Sequence, residues 1–171
     1  MRFIKYTIVY IILLFVEKNL LTLISINDVT PDIILIFIII ISLREERVRS
    51  TFIGFFAGLI QDAFTTAFFG LSALTKSIVG FWGNFFQQPK KKYTMVYYLM
   101  ICLILVTVHE FIYQVIQNLG TNLKFFELVF FYIIPKILYT LTFAALAYLI
   151  FRPMIWWRPT SSSERLLWKH R

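Results

Sequence analysis

Seven ionisable residues sit inside long apolar runs: Glu17, Lys18, Asp62, Lys76, His109, Glu110 and Lys136. A charge in such a setting costs roughly 2.5–3.5 kcal/mol on membrane-insertion scales, so each needs a partner or a task. Three acids, three lysines and one histidine suit mutual ion pairing, a proton or ion relay, or metal ligation. His109-Glu110 opens like a zinc-protease motif, but no second histidine follows at the HExxH spacing. The other histidine, His170, lies in the C-terminal tail, and the single cysteine, Cys102, excludes a multi-cysteine metal site or an internal disulfide. There is no GxSxG, no Walker motif and no phosphate-cradling loop. The expectation is a protein that is not an enzyme and holds no metal or cofactor.

The elements that must position these residues are apolar stretches at 3–26, 31–43, 51–65, 71–86, 94–119 and 126–151. Hydrophobic residues make up 59% of the 171-residue chain, and the mean hydropathy is +0.75. A soluble domain of this size cannot hide that much apolar surface. The predicted fold is an all-α integral membrane protein, a compact bundle of six transmembrane helices over 1–152 followed by a basic tail, 153–171. Six spans of about 20 residues use most of the length and leave no room for a large extramembrane domain.

The net charge of +8 is parcelled between the stretches. Arg2, Lys5, Arg44, Arg47, Arg49, Lys90, Lys91, Lys92, Arg152, Arg158, Arg165, Lys169 and Arg171 fall on one side, thirteen of the 17 basic residues, and Lys124 alone on the other. Lys18, Lys76 and Lys136 lie within the runs. This positive-inside asymmetry puts both termini in the cytoplasm. It assigns the basic charge to topology and to anionic lipid head groups, not to nucleic acid. Arg2 and Lys5 before an apolar run resemble a signal peptide, but no small-residue cleavage site follows, so the run reads as a retained helix.

Local signals refine the elements. Thr30 is predicted to cap the second helix, with Pro31 in its first turn and Asp32 favouring its positive end. That helix is short, about 20 Å at 1.5 Å per residue, against a hydrocarbon core of roughly 30 Å. Either the bilayer thins or neighbouring helices shield it. Gly54 and Gly58, with Ala57 beside them, and then Ala73, Ser77, Gly80 and Asn84, form small-residue faces on consecutive helices joined by a short turn, the pattern of a tight hairpin. Trp82, Phe85, Phe86, Tyr93, Tyr97 and Tyr98 mark an inner interface around Pro89–Lys92. Arg152-Pro153 is expected to end the last helix. The tail, rich in tryptophan and arginine, reads as an interfacial anchor or a docking segment.

With this topology all seven charges lie in the outer half of the membrane. The expectation is a polar cluster pairing Asp62 with Lys76 and Glu110 with Lys136, with Glu17 and His109 nearby. Snorkelling of Lys18 and Asp62 to the head groups and a proton relay remain open as other readings.

One stretch carries a family likeness. Pro31-Asp32 opening an apolar run, Leu43-Arg44, then Gly54-Phe55-Phe56-Ala57-Gly58-Leu59-Ile60-Gln61-Asp62 and Phe69-Gly70-Leu71-Ser72-Ala73-Leu74 strongly resemble the bacterial rod shape-determining MreD family. His109-Glu110, Pro135 and Tyr139 are also similar, and the likeness runs up to Arg152. The resemblance implies a non-enzymatic scaffold or regulatory subunit of the cell-elongation machinery supporting peptidoglycan synthesis. It implies direct binding of MreC, with a RodA-type glycosyltransferase, its transpeptidase and MreB filaments in the same complex. The family is similar in fold to the substrate-binding subunits of energy-coupling-factor transporters, so a small-molecule-binding transporter subunit is the alternative.

Overall fold

The computed structural model describes residues 2–19, 30–64, 68–88, 94–119, 126 and 128–156, and among them it is helical with no strand. Six α-helices follow in order: α1 (Arg2–Asn19), α2 (Ile33–Ser42), α3 (Arg47–Asp62), α4 (Leu71–Gly83), α5 (Met95–Gln117) and α6 (Ile134–Trp156). A 3₁₀ turn, Asn84–Phe86, extends α4, and a π-helical segment, Leu128–Ile133, leads into α6. Two spans are long and apolar enough to cross a membrane, Met95–Gln117 and Val129–Ile150.

The short helix α2 is the centre of the molecule. Its sequence, Ile-Ile-Leu-Ile-Phe-Ile-Ile-Ile-Ile-Ser, is apolar all round, and Ile34 through Ser42 are all buried. The other five helices all pack against it. Burial by neighbours therefore resolves the length deficit noted in the sequence. A buried helix must still satisfy its free N–H and C=O groups. At the C-terminus of α2, Asn84 Nδ2 donates to the Glu45 carbonyl at 2.8 Å and Gln87 Nε2 donates to the Ser42 carbonyl at 2.8 Å. At its N-terminus the cap is Asp32, not Thr30, with Oδ1 accepting from Leu35 N–H at 2.7 Å. Pro31 thus precedes the helix instead of opening it.

Helices α3 and α4 form the closest pair, and the small residues explain why. A methyl group added at Gly54 would run into the backbone of Lys76 and Ser77, at Gly58 into Ser72 and Ala73, and at Gly80 into Ser50 and Thr51. The two stripes therefore interlock backbone to backbone, as the spacing predicts. The Ser50 hydroxyl crosses the seam and donates to the Gly80 carbonyl at 2.7 Å. Gly83, outside the predicted stripe, meets the Ser42 side chain of α2. Gly70 serves differently: its φ of +94° is left-handed, and it turns the chain into α4.

Two boundaries depart from expectation. Arg47 and Arg49 belong to the first turn of α3, which starts four residues earlier than predicted. Arg47 stacks over the rings of Phe81 and Phe85, 5.0 and 4.1 Å from their centroids. Helix α6 runs through Arg152-Pro153 to Trp156. A proline removes one backbone donor, and near a helix end the remaining bonds carry the helix past it. Pro135, in the first turn of α6, follows the widened π-helical turn, where the hydrogen-bond ladder changes step.

The outward surface is unusually apolar. Ile11, Phe15, Phe52, Phe56, Leu103, Phe111, Leu138 and Leu149 are all exposed. Surfaces of this kind meet lipid or a partner protein. The predicted features at 20–29, 65–67, 89–93 and 120–125, and the tail beyond Trp156, lie outside the described residues.

Candidate functional site

The buried charges gather around the N-termini of α2 and α4. Asp32 is the hub. Its Oδ2 accepts from Lys76 Nζ at 2.5 Å, and its backbone N–H donates to Thr140 Oγ1 at 3.4 Å. Glu17 reaches the same helix end from α1: Oε2 accepts from Ile34 N–H at 3.1 Å, and Oε1 accepts from Gln61 Nε2 at 2.7 Å. Both carboxylates thereby face the positive end of α2, where the orphan N–H groups and the helix dipole favour negative charge.

Asp62, at the end of α3, does the same for α4. Its carboxylate accepts from the backbone N–H groups of Gly70, Ser72 and Ala73 at 3.0–3.1 Å. This corrects the expected pairing, because Lys76 bonds Asp32 and not Asp62. The reason is geometric. The α3–α4 turn folds the Asp62 side chain onto the start of α4, while Lys76, farther along that helix, points inward to α2.

The α5–α6 pair is as anticipated. Glu110 Oε2 lies 3.0 Å from Lys136 Nζ, and Glu110 Oε1 lies 3.3 Å from His109 Nδ1. The His109 ring stacks on Tyr113, with centroids 5.9 Å apart, and Lys136 Nζ sits 5.2 Å from the Tyr113 ring centroid. Asp32, His109 and Glu110 meet: one potential ligand atom from each lies within 4.8 Å of the others. The cluster therefore joins α1, α2, α3, α4, α5 and α6 in one polar knot. Lys18 is half-buried on α1, next in the chain to Glu17.

Asp32 is balanced by Lys76, and Glu110 by Lys136. Glu17 and Asp62 take the N-termini of α2 and α4. A buried carboxylate accepting backbone N–H bonds is stabilised in its charged form much as by a cation. Sequence reading missed Asp32 as a member because Pro31-Asp32 looked like a helix start at the membrane surface.

Chemically, the knot can hold charge, and His109 and Glu110 can share a proton. A metal ion at Asp32, His109 and Glu110 would have to displace both ammonium groups, which makes ion pairing the better description of the present arrangement. His109 Nε2 and Gln61 Oε1 are buried polar atoms without a hydrogen-bond partner.

A separate cavity of about 440 Å³ lies between α1 and α3, floored by Phe37 of α2. It is lined by none of the knot residues. No family model, curated protein or solved structure matches the chain.

Proposed function

We propose that this chain is a six-span inner-membrane protein of the MreD kind, with both ends in the cytoplasm, serving as a non-enzymatic scaffold of the cell-elongation complex. The observation that carries this reading is the commitment of the knot to structure. Each of its four carboxylates is engaged by an ammonium or by a helix N-terminus of the same chain. Such a site locks helices together and offers little to a substrate.

Two further features support the reading. The stretch that carries the family likeness, from Gly54 through Asp62 to Gly70 and Ala73, has a physical purpose: the glycines bring two helices into backbone contact and the aspartate caps the second one. The exposed aromatic and aliphatic side chains also give a broad surface for lipid and for the single span of an MreC-like partner. On this reading the partner's span packs against the outward helix faces, and the extracytoplasmic wall synthases are reached through it.

The transporter-subunit reading needs a pocket built from the knot, and the cavity between α1 and α3 is lined elsewhere, largely by apolar residues. Isolation of the full chain from its native membrane in mild detergent, with mass spectrometry of what accompanies it, separates the two. The scaffold reading expects an MreC-type single-span protein and wall synthases. Recovery of a cytoplasmic ATPase with a transport coupling subunit, and no MreC-type protein, would overturn it.

A further inference from the structure

The cavity between α1 and α3 has a consistent chemistry along its length. Both helices lean on α2, and a wedge stays open between them. Val48, Phe52, Ile53, Phe56 and Ile60 supply one wall along α3, about 18 Å at 1.5 Å per residue, and Tyr6, Thr7 and Tyr10 supply the other. The two tyrosine hydroxyls of this lining are taken up by hydrogen bonds. The Tyr10 hydroxyl donates to the Ala57 carbonyl at 2.7 Å, and the Tyr6 hydroxyl donates to Glu45 Oε1 at 2.8 Å. The shaft therefore presents carbon, and an occupant that fits it is an aliphatic chain.

One end is different. Arg49 lines the mouth beside the charged loop, with its side chain 51% exposed. Arg49 forms loose ion pairs with Glu45 at 3.7 Å and Glu46 at 4.0 Å, both longer than a hydrogen bond. These are long contacts on a half-exposed guanidinium, whose remaining N–H groups can make the bidentate contact that arginine forms with phosphate. A cation at the mouth of an apolar shaft matches an anionic head group on an acyl chain. The volume of about 440 Å³ lies within the ~300–1,000 Å³ of specific ligand pockets.

We infer that the α1–α3 groove is a binding site for an anionic phospholipid of the cytoplasmic leaflet, with one acyl chain in the groove and the phosphate on Arg49. The inference rests on the membrane part of the proposed function and is independent of any protein partner. A bound lipid would complete the seam that α1 and α3 leave open, making lipid a structural component of the bundle.

The test uses the purified full chain in detergent, titrated with phosphatidylglycerol or with phosphatidylcholine and read by native mass spectrometry. The expected result is retention of one phosphatidylglycerol, favoured over phosphatidylcholine by about fivefold, the effect of one basic side chain at an anionic surface. Arg49→Gln should abolish that preference while leaving weak binding of both lipids. Thr7→Trp, at an exposed position on the groove wall, should block both. Equal retention of the two lipids by the unaltered chain, or a preference that survives Arg49→Gln, overturns the proposal. So does unchanged binding by Thr7→Trp, which places the lipid elsewhere. If the chain stays soluble and monodisperse without detergent, the membrane reading itself fails, a result distinct from all of these.

Discussion

Helix α3 joins the molecule through two opposite faces, and they could hardly differ more. Toward α4 it presents Ser50, Gly54 and Gly58, and the two backbones touch. Toward α1 it presents Phe52, Ile53 and Phe56 across an open groove. The first seam is backbone against backbone, crossed by the Ser50 hydroxyl, and closed at its end by Asp62 on the α4 N-terminus. The second is held by side chains that cross it singly, Tyr10 to Ala57 and Gln61 to Glu17. On the membrane reading proposed above, the hydrophobic effect gives two helices in lipid little reason to associate, so backbone proximity and satisfied polar groups decide which seams close. Small residues close one face of α3. Large aromatic ones keep the other ajar.

The sharpest way to break the first seam is Gly58→Leu. The obstacle is the backbone of Ser72 and Ala73, which cannot swing aside as a side chain can. Overpacking with room to relax costs ~1–3 kcal/mol, and a rigid obstacle exceeds that. The expected loss is more than about 4 kcal/mol, into the range that marks a specific structural failure. Size-exclusion chromatography in mild detergent should show no monodisperse peak. Thr7→Leu on the open α1–α3 seam should leave the peak intact.

The next effect in size comes from the knot. Lys76→Met strands Asp32 without its ammonium. Breaking a buried pair from one side costs ~3–5 kcal/mol. Adding Asp32→Asn should recover a large part of that, because no uncompensated charge remains. A double-mutant cycle on thermal unfolding in detergent should therefore show strong coupling between Asp32 and Lys76. The parallel cycle of Asp62→Ala with Lys76→Met should be additive within ~0.5 kcal/mol. Strong coupling in that second cycle would restore the pairing that sequence distance suggests and would remove Asp62 from its capping position.

That contrast also shows what was legible beforehand. The small-residue stripes of α3 and α4 could be read because helical spacing alone places Gly54 with Gly58 and Ala73 with Ser77 and Gly80. The Glu110–Lys136 pair could be read because both residues sit well inside consecutive helices. Asp32 was hidden for a specific reason. Its role depends on α2 being central and buried; the all-apolar run of α2 signals burial, but not which side chains of other helices meet its N-terminus. The same fact hid Asn84 and Gln87, whose side chains terminate α2 from another part of the chain. Asp62 was given the wrong partner because proximity in a hairpin does not separate a lysine one turn and a half away from the backbone N–H groups at the helix start. Helix ends are charged objects, and a count of side-chain charges leaves them out.

The smallest expected effect compares two hydroxyl bonds of equal length on the two faces. Ser50 donates to the Gly80 carbonyl and Tyr10 to the Ala57 carbonyl, each at 2.7 Å. Each is an ordinary neutral bond, with a net contribution of ~1 kcal/mol. The seams should nevertheless distribute the loss differently. Ser50 lies in the tightest contact of the bundle, so Ser50→Ala should lower the global unfolding midpoint. Tyr10 is one of few ties between α1 and α3, so Tyr10→Phe should act on local opening. Hydrogen exchange followed by mass spectrometry should show faster exchange in the α1 amides of Tyr10→Phe, with α3 and α4 unchanged. Ser50→Ala should instead speed exchange in α3 and α4 together. If Tyr10→Phe loosened α4 as much as α1, the two faces of α3 would be one cooperative unit, and the open groove would contribute to holding the bundle as firmly as the glycine seam does.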